Sequence, residues 1–181
     1  MDNFRYLKAS EDIKAGETIF EEYALSSGPI YSTRPVCLGC YQILSNQISE
    51  HHICRKCGWP LCSAICEKSP EHLPECQTFS AKNVKVSCEK FNYGDIEPMY
   101  DVVCPVRVLW QREHQPQKWN IFWKLMSHID TWMASNKWKQ GHQKLVNYIL
   151  EVLKLGTKYK INRFSVIKPQ DLPTKSHVVT Y

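Results

Sequence analysis

Eight thiol and imidazole side chains fall in four pairs along this sequence: Cys37-x2-Cys40, Cys54-x2-Cys57, Cys62-x3-Cys66 and His72-x3-Cys76. They use seven of the nine cysteines in the chain. Ligands two or three residues apart can grip one ion without straining the backbone, and structural Zn²⁺ takes four Cys or His ligands tetrahedrally. Four pairs therefore predict two structural zinc ions, and an imidazole within the pattern favours zinc over an iron–sulfur cluster. A disulfide framework belongs to secreted chains, whereas the N-terminal stretch MDNFRYLKASEDIK is charged and has no apolar signal-peptide core. The expectation is an intracellular, reducing compartment, nucleus and/or cytoplasm, where clustered cysteines are metal ligands. Spacing alone leaves open which pairs share an ion, because they can combine sequentially or alternately. His51 and His52 read as solvent-facing or supporting groups, since eight ligands are already placed.

The elements that must position these ligands are less plainly written. Before the cluster, Tyr6 to Ser10 and Thr18 to Glu22 are β-prone runs around a turn punctuated by Asp12 and Gly16, which predicts a short hairpin. After Cys76, residues 77–115 read as a connector with at most one short helix or strand. Helical signals follow Pro116, an acceptable first helical residue. Trp119, Phe122, Trp123, Met126, Ile129 and Met133 recur at three- and four-residue spacing, predicting one buried face. Leu145, Ile149, Val152 and Leu153 predict a second helix, closed by Gly156 as C-cap. The organisation is thus an N-terminal β segment (1–36), a two-zinc finger (37–76), a connector (77–115), a helical region (116–160) and a polar tail (161–181), in an α+β fold. Helical spacing assigns the aromatic wealth, including Trp110, Trp132 and Trp138, to core packing rather than to a base-stacking platform. Cys88 and Cys104 lie outside the pairs and read as small buried hydrophobes, neither with an adjacent base that would mark a nucleophile.

Composition bounds the function. At 181 residues and 43% hydrophobic, the chain can bury one modest core plus a zinc-stapled satellite too small to fold without metal, so two compact units are expected. The formal charge of +5 invites a nucleic-acid reading. Seven thiolates and two Zn²⁺ together remove three charges, leaving about +2 in the loaded chain. No run of five Lys or Arg occurs, and nothing approaches the roughly 18 apolar residues of a membrane span.

The eight-ligand order, with Trp59-Pro60-x-Cys62 and the closing His72-x3-Cys76, resembles the MYND-type zinc finger. In that family the pairs interleave. The resemblance implies one ion on Cys37, Cys40, Cys62 and Cys66, and a second on Cys54, Cys57, His72 and Cys76. Upstream, the block from Ala9-Ser10-Glu11-Asp12 through Ile19-Phe20-Glu21-Glu22 resembles the start of a SET domain, into which such a finger is inserted. Downstream, Cys104-Pro105-Val106-Arg107-Val108-Leu109 and Trp119 through Asp130 resemble the first half of the helical insertion that follows. Together these motifs, over about residues 6–155, resemble the SET-and-MYND family of protein lysine methyltransferases, with its arthropod branch as a candidate.

That resemblance brings an enzyme to mind and also withholds it. Family members bind S-adenosylmethionine partly through a Gly-x-Gly turn, and later through an Asn-His-Ser-Cys-type stretch and a catalytic tyrosine. Here the first glycine is Gly16, no Gly-x-Gly or Asn-His occurs, and no cysteine follows Cys104. The expectation is no catalytic residue, no S-adenosylmethionine site and no methyl transfer by this chain alone. The resemblance implies instead a protein-interaction module that docks a proline-containing peptide of a transcriptional or chromatin regulator. Only Glu67-Lys68-Ser69-Pro70-Glu71 separate Cys66 from His72, without the tryptophan many peptide-binding MYND fingers carry there. Trp59 is the nearest aromatic candidate, for the groove or for the finger's own core. Two alternatives stand: a fragment of a lysine methyltransferase whose catalytic core lies outside this chain, and a nucleic-acid-binding finger. Against the latter, Arg55 and Lys56 are offset by Glu67 and Glu71.

Overall fold

Each Cys-x2-Cys pair closes a tight turn of the same construction. In the first, the Tyr41 N–H donates to the Cys37 carbonyl at 2.7 Å and the Cys37 N–H to the Gln42 carbonyl at 2.9 Å. In the second, the Gly58 N–H donates to the Cys54 carbonyl at 2.9 Å and the Cys54 N–H to the Trp59 carbonyl at 3.0 Å. Both turns need a left-handed residue at the fifth position, filled by Tyr41 (φ 61°) and by Gly58 (φ 81°). Gly58 also has no room for a side chain, since a Cβ there would lie 2.3 Å from the Val86 carbonyl oxygen.

The computed structural model describes residues 8–30, 33–45, 51–87, 99–124 and 136–160. Within them, β1 (His52–Ile53) pairs antiparallel with β2 (Pro60–Leu61), in the register His52 to Leu61 and Ile53 to Pro60. An isolated antiparallel bridge joins Val36 to Ile43 across the first turn. One turn of 3-10 helix, Cys66–Lys68, leads to α1 (Leu73–Ala81), which opens with Pro74 in its first turn, where a missing N–H costs nothing. Next comes α2 (Met99–His114), then α3 (Pro116–Phe122) and α4 (Asn136–Asn147). A π-helical turn, Tyr148–Val152, and α5 (Gly156–Tyr159) complete the described chain. Helices with a small antiparallel sheet make the fold α+β. Among the described residues no helix is long and apolar enough to cross a membrane.

Several elements differ from what the sequence suggested. Residues 8–24 contain the turn, with the Glu17 N–H donating to the Lys14 carbonyl at 3.1 Å, but no ladder forms around it. A two-stranded ribbon is marginal by itself, and Ile19 and Phe20 stand about 70% exposed, with no sheet packed on them among the described residues. The stretch read as a connector holds the 16-residue α2. Its interior Pro105 and the punctuation before it mask an apolar face of Tyr100, Val103, Val106 and Arg107's stem, all buried. Conversely, α3 ends at Phe122 and buries none of its residues; Met126, Ile129, Trp132 and Met133 lie outside the described residues, as do Cys88 and the Trp138 side chain. Gly156 begins α5 instead of capping the helix before it, and Lys154 (φ 49°) makes the left-handed exit. Val152, placed by periodicity on the buried face, is 41% exposed because the π turn shifts the phase.

The core runs without a break from finger to helices. Leu38 and Leu61 of the finger join Trp59, Phe79 of α1, Tyr100 and Val103 of α2, and Ile149 and Leu153 in one buried cluster. Trp59 is its centre, stacked on Tyr100 (ring centroids 5.5 Å, 12°) and edge-on to Phe79 (5.9 Å, 63°). The Val36 N–H donates to the Tyr100 hydroxyl at 3.0 Å, tying α2 to the segment just before the first ligand. The two compact units expected from composition are therefore joined by shared apolar packing. Finger ends are too small to bury an indole alone, and α2 supplies the missing wall.

Candidate metal centre

The folded chain gathers the eight ligand residues into two groups of four. Cys37, Cys40, Cys62 and Cys66 form one, and Cys54, Cys57, His72 and Cys76 the other, with all ligand atoms of a group within 4.8 Å of one another. In the first, the Cys40 and Cys62 sulfurs are 3.6 Å apart and those of Cys62 and Cys66 3.4 Å. In the second, the Cys54 and Cys76 sulfurs are 3.7 Å apart, and Cys57 Sγ lies 3.5 Å from His72 Nε2. A tetrahedral ion with Zn–S of about 2.3 Å and Zn–N of about 2.0 Å sets its ligands about 3.8 Å (S to S) and about 3.5 Å (S to N) apart. These distances suit that ion and lie far beyond the roughly 2.05 Å of a disulfide bond. Gly39, in the first turn, permits the closure: a Cβ there would sit 2.8 Å from the Cys66 Cβ and carbonyl oxygen.

The two sites differ in setting. Cys40 stands exposed at the rim of the first, while every ligand of the second is buried. Without metal the thiols compete for protons. Burial presses the Cys37 thiol up, but the N–H groups of Cys62, Gly39 and Cys40 outweigh it and bring it down to about 7. Burial, with the neighbouring Cys62 and Cys37 sulfurs, pushes Cys66 up to about 12. In the second site the hydrogen bond from Cys57 draws Cys76 down to about 4, and Cys57 is pushed up in return. Burial opposes a charge on His72, yet Cys76 and Glu75 hold its proton, with the result at about 10. Loading either site must therefore expel protons, and the affinity for metal falls as pH falls.

Groups behind the ligands are well built at the second site. Buried Glu75 accepts from His72 Nδ1 at 3.1 Å and from Arg107 at 2.7 Å on each oxygen. On the other flank, Glu67 receives His52 Nε2 at 2.6 Å, the Arg55 N–H at 3.2 Å and the Cys54 thiol at 3.5 Å. The hydrogen bond from His52 holds the Glu67 carboxyl below its usual range. His51 turns away, with Nε2 2.8 Å from the Ser45 carbonyl. Neither histidine enters a ligand group. Sequence reasoning missed Glu67, Glu75 and Arg107. The signal for Glu75 is its place three residues after His72, one helical turn on; Arg107 offered only a lone charge in the apolar run from Val102 to Leu109.

Other candidates fall elsewhere. Trp59 is completely buried, so it belongs to the core and not to a peptide groove. Cys104 is partly covered, its thiol pushed up by burial. Beside the first turn lies a cleft of about 360 Å³ lined by Ser27, Gly28, Pro29, Thr33, Val36 and Tyr41.

Comparison with known proteins gives one partial relative. The chain is 36% identical over 90 residues to the SET domain-containing protein SmydA-8, isoform A, of Drosophila melanogaster. The match covers 46% of this chain and 19% of that protein, so the chain spans about a fifth of its relative's length. No protein-family model matches the chain, and no solved structure does. The likeness to SET-and-MYND proteins read from the motifs is thus supported by a partial relative and by the two ligand groups.

Proposed function

We propose, from the premise that this chain is SET-and-MYND-like, that it is a two-zinc interaction module which docks a proline-containing segment of a transcriptional or chromatin regulator. The single observation that carries the metal half is the pair of four-ligand groups with tetrahedral edge lengths. Zinc suits thiolate-rich, redox-silent sites, and its contribution is structural: it holds the two turns and the start of α1 in one frame. Residues 37–40, 54–57, 62–66 and 72–76 hold the ions, and the apolar core does the rest. The docking half draws support from the cleft between Pro29, Val36 and Tyr41, whose concave, largely apolar lining accepts an extended, preformed segment at low entropic cost.

Metal analysis of the purified chain should return two zinc ions per molecule, and Cys54→Ser should lose the second site first. A far-ultraviolet spectrum and proteolysis pattern of residues 37–76 unchanged by a strong chelator would end the zinc reading. For docking, a proline-containing peptide library should yield binders that Tyr41→Ala weakens at full zinc content. Binders indifferent to Tyr41 would remove the cleft from consideration. The same reading proposes that the chain alone transfers no methyl group; stoichiometric uptake of labelled S-adenosylmethionine would reverse it.

A further inference from the structure

Arg107 is placed where no purely apolar contact would need it. The residue is 5% exposed on α2, and its guanidinium uses all five of its N–H donors. Nε and one terminal nitrogen clamp the two oxygens of Glu75 at 2.7 Å each. That same nitrogen donates to the Leu38 carbonyl at 3.0 Å, and the other donates to the Ser27 carbonyl at 2.9 Å and to the Tyr41 hydroxyl. Leu38 lies between the ligands Cys37 and Cys40, and Tyr41 closes the same turn. Glu75, wholly buried, in turn accepts from Nδ1 of His72, which leaves Nε2 facing Cys57.

A buried carboxylate and guanidinium are costly in the interior, and replacing such a pair with apolar side chains is often neutral or stabilising. Packing alone therefore gives no reason for them. Their geometry does: a carboxylate can only accept, so Nδ1 carries the proton and the Nε2 lone pair is fixed on the ligand group. Arg107 then fixes the carboxylate, because a planar fork gripped at both nitrogens cannot rotate. We propose that Glu75 and Arg107 are a positioning pair for the second metal site, aiming His72 at the ion and linking that ion to the turn that holds Cys37 and Cys40. The inference rests on the two-ion reading above. Lysine has three donors on a flexible stem and cannot make this connection.

The test uses the full chain loaded with cadmium-113, which gives separate resonances for a four-sulfur site and a three-sulfur, one-nitrogen site. Arg107→Met should weaken the sulfur–nitrogen site by about 10- to 100-fold in chelator competition, the range that such supporting groups command. It should also shift the four-sulfur resonance, through the freed Leu38 carbonyl. Arg107→Lys should restore little. Glu75→Gln keeps the side-chain shape, so it stands in if Arg107→Met does not fold; it should shift the sulfur–nitrogen resonance and weaken that site. Val103→Ala loosens the same helix without touching the network, and should leave that affinity alone. An unchanged sulfur–nitrogen site in Glu75→Gln, or an equal loss in Val103→Ala, would overturn the positioning role. A wild-type chain that takes up fewer than two ions would instead fail the two-ion reading itself.

Discussion

Trp59 and His142 show how single side chains set the stability of this chain. Trp59 has no exposed surface and fills the space between Phe79 and Tyr100. Trp59→Ala would open a cavity that the stacked Tyr100 cannot close, at a cost of about 3–5 kcal/mol, readable as a lower denaturation midpoint in the zinc-loaded protein. His142 on α4 is governed by burial, which pulls its imidazole from 6.5 to about 4. The unfolded chain then takes up the proton first, so the contribution of neutral His142 is full above about pH 6.5 and declines as pH falls toward 4. His142→Gln should flatten that decline. Comparing midpoints of wild type and variant at pH 7 and pH 5 checks it, since acid loss of metal is common to both. If both proteins lost stability equally between those values, the histidine would not be the titrating group.

At the scale of elements, the turns were more legible than the helices. The ligand spacing and the Trp59-Pro60 step are local signals, and local signals survive in sequence because one or two residues carry them. Gly58→Ala puts a Cβ against the Val86 carbonyl at a left-handed backbone position, so it should cost upward of about 1 kcal/mol and lower zinc retention. A chain that tolerated alanine there at full zinc affinity would contradict the turn as described. Helix α2 is hidden by Pro105, although the apolar run Val102 to Leu109 is visible in the sequence and Cys104 to Leu109 resembles part of a helical insertion. The N-terminal hairpin depends on the opposite kind of signal: its β-prone residues are real, but strands need neighbours, and residues 8–24 have none among the described residues, while Tyr6 and Leu7 lie outside them. The pairing of ligands could not come from spacing, because four equivalent pairs satisfy chemistry in more than one way. Only resemblance suggested an order, and the fold brings the four pairs together as two groups.

For the whole molecule, the continuity of the core changes what metal removal should do. Composition predicts a zinc-stapled satellite beside a separate core. Instead Leu38, Trp59, Phe79, Tyr100 and Leu153 share one cluster, so the finger and α2 cover each other's apolar surface. Chelation should therefore loosen α2 along with the finger. Hydrogen exchange should rise together in residues 54–61 and 99–111, and the loaded protein should melt in a single transition. Protection kept in α2 after the metal is gone would show two independent units.

The alternating assignment of ligands has one more effect. Cys37 and Cys40 are grouped with residues beyond Cys57, and Cys54 and Cys57 with residues beyond Cys66, so two ions held by these groups would lace the chain like two overlapping stitches. A cut anywhere between Cys40 and His72 would leave its two ends sewn together by at least one ion. Successive ions, each closing its own loop, would let the chain come apart between Cys57 and Cys62. Severed halves of this finger, split at that point and mixed, should find each other only when metal is supplied, and part when it is withdrawn.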